Sequence, residues 1–307
     1  MAQSDFSDKT LRLLQPLLQP LLRLLQLLLP RRFRSDIPVV PVVRLSGIIG
    51  FSTPLRPGLT LASVAKPLDR AFAWPHARAV ALLINSPGGS AVQSHLVFQR
   101  IRQLSAEKQL PVLAFVEDVA ASGGYMIACA ADEIFADPSS IVGSIGVIGA
   151  TFGFTRLIEK IGVERRIYTS GVNKAMLDPF LPENPEHVAR LKAIQEEIHA
   201  AFIGLVKSRR GAKLNGADEN LFSGEYWAAT KGAELGLVDR IGDLRSTLRE
   251  RYGDKVETPL VSARTNWLGR ASPGLAARLG GLLDQPGLAD ELISSLEERA
   301  IWARYGL

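Results

Sequence analysis

Cysteine and histidine are scarce in this chain, and their scarcity limits the chemistry that its sites can use. The 307 residues contain one cysteine and four histidines. A single cysteine, Cys129, excludes an intrachain disulfide and a cysteine-rich metal site. The histidines are scattered without the spacing of metal ligands, and none lies between His95 and His187. We therefore expect no metal and no organic cofactor, and a hydrolase built on this sequence needs a base other than a nearby histidine.

Excess positive charge is also missing from most of the chain. The net charge is +5, but residues 1–34 carry six basic and two acidic side chains, so most of the excess lies there. The remaining residues are close to neutral, and a nucleic-acid site needs a basic patch or groove. The distribution excludes a nucleic-acid partner for the body of the protein.

The N-terminal arm, residues 1–37, is rich in leucine. Residues 11–29 contain twelve leucines. The polar residues of this stretch recur every three or four positions, as on one face of a helix. Arg23, Pro16 and Pro20 disfavour a membrane-spanning helix. We predict that residues 10–34 lie on an anionic membrane surface, with the body in the cytoplasm and peripheral on the cytoplasmic face. The alternatives are packing within an oligomer and an unstructured leader.

Short apolar runs alternate with helical patterns in the rest of the chain. Residues 79–84 and 111–116 are typical of buried strands, and residues 163–169 are predicted to form another. Strands that alternate with helices indicate an α/β domain with parallel pairing, over residues 38–255. Residues 256–307 form a tail that ends in an amphipathic helix, which we expect to pack on its own domain or on a neighbouring subunit.

Two turns between a strand and a helix have the same composition. The first contains Gly88 and Gly89, and the second contains Ser122 followed by Gly123. A serine at a helix N-terminus lies where free N–H groups and the helix dipole favour negative charge. If the turns face each other, the N–H groups of the three glycines are candidates for an oxyanion hole, with Ser122 as a nucleophile.

The candidate base for Ser122 is Lys174. A serine nucleophile needs a partner that accepts its proton, and a lysine can act in place of histidine. Such a lysine must be neutral near pH 7, which burial among apolar groups favours. Apolar residues at 175–177 and 179–180 could provide that environment. A serine–lysine dyad points to hydrolysis of peptide or amide bonds.

Several motifs occur in a fixed order along residues 42–245. They are NSPGGS at 85–90, ASGGY at 121–125, AADEIFADP at 130–138, GSIGV at 143–147, SGVNK at 170–174 and GAELGLVD at 232–239. In this order they resemble the signal peptide peptidase A and SohB family of serine peptidases, in a short form with one catalytic unit.

The resemblance implies a fold, a site and a mode of assembly. The fold is that of the Clp protease and crotonase group, a spiral of ββα units. Ser122 matches the nucleophile, Lys174 the general base and Ser144 the serine that orients the lysine, while Gly88 and Gly89 match the oxyanion turn. Members form rings or domes, so we expect a homo-oligomer in which the serine and the lysine can come from different subunits. The implied substrates are apolar or unfolded peptides, including signal-peptide remnants at the membrane surface.

Three other functions remain open at this point. A crotonase-like acyl-CoA enzyme would need carboxylates in its cleft and neither Ser122 nor Lys174. A Clp-type triad peptidase would need a histidine after the nucleophile. A membrane-surface scaffold would leave the dyad unused, with Lys174 in solvent.

Overall fold

The sheet that organises this protein is largely parallel. The structure is a computed structural model, and it describes residues 37–50, 58–262 and 299–307. Among these residues β1, β2, β3, β4 and β7 are successive parallel neighbours. β5 pairs in parallel with the end of β3, and β6 runs antiparallel to β5. The predicted α/β class with parallel pairing is confirmed. The strands are Val42–Ser46 (β1), Val80–Ser86 (β2), Val112–Ala121 (β3), Glu133–Ala136 (β4), Ile141–Gly143 (β5), Tyr226–Ala228 (β6) and Arg240–Ile241 (β7).

Side-chain caps fix where several of the helices begin. Thr60 forms a reciprocal capping box with Ser63, the side chain of Ser90 accepts from the N–H of Gln93, and the side chain of Asn184 accepts from the N–H of Glu186. Each cap satisfies an N–H group that has no partner inside its helix. The helices are Leu61–Phe72 (α1), Ala91–Lys108 (α2), Gly123–Ala128 (α3), Thr155–Lys160 (α4), Pro185–Arg210 (α5), Asp218–Leu221 (α6), Ala229–Glu234 (α7) and Leu244–Tyr252 (α8).

The sheet is covered on both faces. On one face Leu45, Leu82 and Ile84 belong to the largest apolar cluster, to which α1, α2 and α3 contribute. On the other face Leu248 of α8 packs in a second cluster that contains the stacked rings of Phe115 and Phe135, 5.0 Å apart. Strands with two buried faces read as continuous apolar runs, which is why β2 and the first half of β3 could be recognised from the sequence.

β3 extends five residues beyond the predicted strand end at residue 116. The extension begins with two acidic residues, Glu117 and Asp118, and charged residues usually mark the end of a buried strand. Here each of them has a partner on another strand of the sheet, β1 for Glu117 and β2 for Asp118. Glu117 pairs with Arg44 at 3.0 Å, and Asp118 accepts a hydrogen bond from Asn85 at 2.6 Å. The strand therefore continues to Ala121 and delivers Ser122 to the edge of the sheet.

The predicted strand at residues 163–169 is wrong. These residues have no regular secondary structure, and most are exposed. They belong to a stretch that we call the exposed segment, residues 146–201, in which no residue is buried. The preference of Val163, Ile167 and Thr169 for a strand is not realised, because no neighbouring strand among the described residues forms hydrogen bonds with this stretch.

The predicted N-terminal arm and most of the predicted tail lie outside the described residues. The tail is described at residues 256–262 and again from residue 299, where a short helical turn leads to Tyr305. None of the helices in the described ranges is both long enough and apolar enough to span a membrane.

Candidate active site

The carboxyl ends of three parallel strands meet at one point of the sheet. Ser86 at the end of β2 lies beside Ala120 of β3, and Ala121 of β3 lies beside Gly143 of β5. Ser122 and Ser144 each come one residue after their strand. The parallel register therefore brings the two serines and the turn after β2 to one edge, which is where open α/β sheets bind ligands.

Ser122 lies in a strained turn. Its φ of 51° is in the left-handed region that serine rarely adopts. Its N–H donates to the carbonyl of Gly143 at 2.8 Å, and its side chain makes no capping bond to the following helix. The hydroxyl is therefore left for another partner at the start of α3. Backbone strain of this kind costs about 1–3 kcal/mol and is held by the surrounding structure.

Ser144 occupies a similar turn but is more deeply buried. Its φ is 53°, its exposed fraction is 7%, and its N–H donates to the carbonyl of Glu225 at 2.6 Å. Its Oγ lies 3.3 Å from the hydroxyl of Tyr305. The hydroxyl of Ser144 is thus held by a residue from the opposite end of the chain.

The turn after β2 packs directly on Ser122. Gly88 is buried with a φ of 102°, and a Cβ atom there would lie 2.8 Å from the Cβ of Ser122. The N–H of Gly88 donates to Ser86 Oγ at 3.3 Å. The N–H groups of Gly89 and Gly123 donate to no acceptor within residues 37–50, 58–262 and 299–307. Of the three predicted oxyanion residues, Gly89 and Gly123 therefore have N–H groups available for a ligand, and Gly88 mainly permits the close packing.

A cavity of about 660 Å³ opens at this edge. Ser122, Ser144, Gly89 and Gly123 line it together. Its apolar wall comes from α3, α5 and the start of the exposed segment. That wall contains Met126, Val147, Ile148, Ile198 and Phe202. A cavity with several convergent polar groups and an apolar wall suits a ligand that presents an apolar group beside Ser122.

The structure does not bring Lys174 into this cavity. Lys174 is exposed in a turn of the exposed segment, where its N–H donates to the carbonyl of Gly171 at 3.1 Å. The residues that line the cavity do not include it. Within one chain, Ser122 and Ser144 are assembled and Lys174 stands apart.

Two residues of the cavity were missed by sequence analysis. His199 of α5 lines it, and its Nε2 lies 3.0 Å from the carbonyl oxygen of Ile145. Tyr305 lines it as well and is 7% exposed. Neither carries a local motif, and each is brought to the site by a long-range contact. The only available signal was helical spacing, since His199 lies three and seven residues before the buried Phe202 and Val206 of α5.

A buried polar network lies behind the site, between α3 and α5. The guanidinium of Arg210 pairs with Asp239 at 2.6 Å, and the hydroxyl of Tyr125 donates to the carbonyl of Leu237 at 2.9 Å. Burial raises the pKa of the Cys129 thiol to about 12. Burial opposes ionisation of Asp239, but hydrogen bonds from Arg210 and Lys213 outweigh it and lower the pKa of that carboxyl. These groups hold the scaffold and do not face the cavity.

Comparison with known proteins identifies the family of this site. A sequence profile described as Peptidase family S49 matches residues 105–255. A putative protease of Synechocystis sp. is 32% identical over 220 residues, which are 70% of this chain and 78% of that protein. The chain belongs to peptidase family S49. The predicted family is thereby confirmed, and the S49 match includes Ser122, Ser144 and Lys174 while Gly88 and Gly89 precede it.

Two further relatives of this S49 chain differ in length and in name. A putative signal peptide peptidase SppA of Enterococcus faecium is 31% identical over 208 residues, 66% of this chain and 59% of that protein. A protein of Brucella abortus named Na(+)/H(+) antiporter NhaA is 57% identical over 290 residues, 92% of this chain. The chain spans 39% of the length of the Brucella protein. That name describes a much longer protein and does not define the activity of the S49 part.

Proposed function

We propose that this chain is a serine endopeptidase in which Ser122 is the nucleophile and Lys174 is the general base. The observation that carries the proposal is the meeting of Ser122, Ser144 and the N–H groups of Gly89 and Gly123 around one cavity. A nucleophile beside two free N–H groups is the arrangement that acyl transfer requires. Membership of peptidase family S49 supports the same reaction.

The reaction proceeds through an acyl-enzyme. The neutral amine of Lys174 takes the proton of Ser122 as Oγ attacks the peptide carbonyl carbon, and the developing oxyanion accepts hydrogen bonds from Gly89 and Gly123. The C–N bond then breaks as the lysine ammonium protonates the leaving amine. Water, deprotonated by Lys174, attacks the ester, and the ester bond breaks as the proton returns to Ser122 Oγ. Ser144 orients the lysine throughout, and no step uses a cofactor.

We propose that Lys174 enters the site from a second copy of the chain. Ten of the fifteen exposed large apolar side chains among the described residues lie in the exposed segment, including Phe152, Tyr168 and Val172. A concentration of exposed apolar groups on one segment marks a surface that another molecule covers. A homo-oligomer, built as a ring or dome, would bury this segment and carry each Lys174 to a neighbouring Ser122.

Apolar or unfolded peptides are the proposed substrates. The wall formed by Met126, Val147 and Phe202 can accept an apolar side chain, and Arg304 is the one Arg or Lys among the described residues that line the cavity. Signal-peptide remnants belong to this class, and the name of the Enterococcus relative points to the same substrates. A crotonase-like reaction is disfavoured because none of the described residues that line the cavity carries a carboxylate.

Mixing two inactive variants tests the reaction and the shared site together. Hydrolysis of fluorogenic apolar peptides should be lost in Ser122→Ala and in Lys174→Ala, while Lys160→Ala, an exposed lysine elsewhere in the same segment, should retain it. Refolding the two inactive variants together should restore activity, because a mixed assembly contains sites with an intact serine and an intact lysine. Activity that survives either single change would refute the dyad. Inactive single variants without rescue would place both groups in one chain.

A histidine base is a second candidate, since His199 lines the same cavity as Ser122. A histidine base titrates at about pH 6.5, whereas a lysine base requires a higher pH to become neutral. His199→Ala and Lys174→Ala, each measured from about pH 6 to pH 10, separate the two. The base would be assigned to His199 if only His199→Ala lost activity and if the activity of the wild type rose with pH around pH 6.5.

We further propose that the N-terminal arm holds the body on the cytoplasmic face of an anionic membrane. The leucine-rich stripe and the arginines at 31, 32 and 34 support this location. The full chain and a truncation that begins at Ser35 should differ in sedimentation with anionic vesicles, and the full chain should bind less as salt increases. Equal, negligible binding of both proteins would rule the arm out as an anchor.

A further inference from the structure

Tyr305 contacts both the loop of Ser144 and the turn after β2. Its hydroxyl lies 3.3 Å from Ser144 Oγ and 3.4 Å from the carbonyl oxygen of Pro87, the residue before the Gly88–Gly89 turn. Both contacts are buried. One side chain therefore contacts the loop that carries Ser144 and the turn that carries Gly89.

The hydrogen-bonding capacity of these three groups permits a definite assignment. The Tyr305 hydroxyl has one proton and the Pro87 carbonyl can only accept, so both contacts are hydrogen bonds at once only when Tyr305 donates to Pro87. The remaining contact then requires Ser144 to donate its proton to the oxygen of Tyr305. With its proton directed at Tyr305, Ser144 presents lone pairs to any donor that enters the cavity.

Neighbouring residues hold Tyr305 in this position. The hydroxyl of Tyr226 donates to the carbonyl of Arg304 at 2.9 Å, and the rings of Tyr226 and Tyr305 pack edge to face at 5.0 Å. Tyr226 of β6 lies directly opposite Gly143 in the ladder with β5. Tyr305 also packs in an apolar cluster with Val119 and Ala121 of β3. It is thus fixed to the same strands that deliver Ser122 and Ser144.

We propose that Tyr305 is a positioning residue of the peptidase site, which orients the hydroxyl of Ser144 so that Ser144 accepts a hydrogen bond from the lysine base. This inference rests on the proposed function. Without the tyrosine hydroxyl, Ser144 is free to turn its proton toward the neutral lysine nitrogen. That bond would occupy the lone pair that must take the proton of Ser122, and the chemical step would slow.

Tyr305→Phe tests the proposal because it removes the hydroxyl and keeps the ring. We expect kcat on a fluorogenic apolar peptide to fall about tenfold, which corresponds to about 1.4 kcal/mol of barrier, with KM unchanged. The pH at half-maximal kcat should move downward, since a bond donated to the lysine nitrogen stabilises its neutral form. Tyr252→Phe, on α8 and remote from the cavity, is the matched control and should behave as wild type.

Three outcomes would overturn the proposal. In the first, kcat and the pH profile of Tyr305→Phe equal those of wild type. In the second, kcat rises, which would mean that the C-terminal residues obstruct the site. In the third, the loss equals the fraction of protein that no longer folds, as measured by thermal unfolding and by the fraction of Ser122 that a fluorophosphonate labels.

The labelling experiment also separates this inference from the proposed function. Wild-type Ser122 should react with the fluorophosphonate, and Ser122→Ala should not. If wild type fails to react at Ser122, the proposed function fails and the role of Tyr305 fails with it. If wild type reacts and Tyr305→Phe reacts at the same rate with the same kcat, only the role of Tyr305 is lost.

Discussion

The sheet edge around Ser122 and the exposed segment around Lys174 are held in different ways. At the sheet edge, Ser122 and Ser144 follow paired parallel strands, and their N–H groups donate to Gly143 and Glu225. In the exposed segment no residue is buried, and Lys174 is held by a single turn contact to Gly171. Folding of the sheet therefore positions Ser122 and the N–H groups of Gly89 and Gly123, whereas it does not fix the position of Lys174.

Replacing a glycine in each region should give the largest contrast. Gly88 and Gly171 share a φ of 102°, so an alanine is strained by its backbone at either position. At Gly88 the new Cβ would also lie 2.8 Å from the Cβ of Ser122, whereas at Gly171 nothing lies within 4 Å. We expect Gly88→Ala to reduce peptidase activity by more than about a hundredfold, because it displaces the nucleophile. It should also lower the melting temperature clearly more than Gly171→Ala.

Thermal unfolding of both glycine variants, together with peptide hydrolysis by Gly88→Ala, is the measurement. Equal losses of stability in the two variants would mean that the strain of the turn, and not the packing on Ser122, limits both positions.

Breaking one ion pair in each region should give the next largest effect. Arg210 pairs with Asp239 in the scaffold and is 2% exposed, while Arg165 pairs with Asp178 in the exposed segment at 2.9 Å. Arg210→Ala leaves the Asp239 carboxylate half-buried with only Lys213 as a charged partner. We expect a loss of about 3–5 kcal/mol in the free energy of unfolding.

Arg165→Ala is the matched variant, and its stability should fall much less, because the Arg165 side chain is 45% exposed and Asp178 keeps the hydrogen bond from the N–H of Phe180. Urea unfolding of both proteins at pH 7 checks the comparison. A similar loss in both variants would show that the exposed segment unfolds together with the sheet.

The smallest effect on stability is expected at Cys129, and it depends on pH. Burial raises the pKa of its thiol from 9.0 to about 12, so the folded chain keeps this proton at pH values where the unfolded chain releases it. The resulting stabilisation is fully present below about pH 9 and declines as the pH rises toward 12. Between pH 8 and pH 10 wild type should lose about 1 kcal/mol more than Cys129→Ala in urea unfolding. Equal losses in the two proteins would show that the thiol is accessible in the folded state.

The sequence predicted the parts of this molecule that are determined locally. The apolar run of β2, the glycine turn after it and the serine after β3 could be located because strand burial and turn chemistry leave short-range patterns. The end of β3 was misplaced because its acidic residues are compensated by Arg44 and Asn85, which lie far away in sequence. The strand expected at 163–169 failed for the opposite reason, since no neighbour completes it.

In the site, too, the sequence alone predicted only the residues that lie in a local pattern. Ser122, Gly89 and Gly123 could be proposed from their turns, and Ser144 and Lys174 from the family resemblance. Tyr305 and His199 could not be, because each acts through a contact with a residue more than fifty positions away. A local pattern carries no information about such contacts.

The absence of buried residues between 146 and 201 has a consequence for engineering. A stretch without a fully buried residue can be exchanged as a unit, by joining the chain at Gly146 and again at Phe202, the first buried residue of α5. Chimaeras that carry this stretch from another S49 member would keep Ser122, Ser144 and the sheet, and would acquire a foreign lysine loop together with the part of the cavity wall that the stretch provides. Folding of the sheet and the properties of the exchanged stretch could then be selected separately, in one polypeptide, with two crossover points.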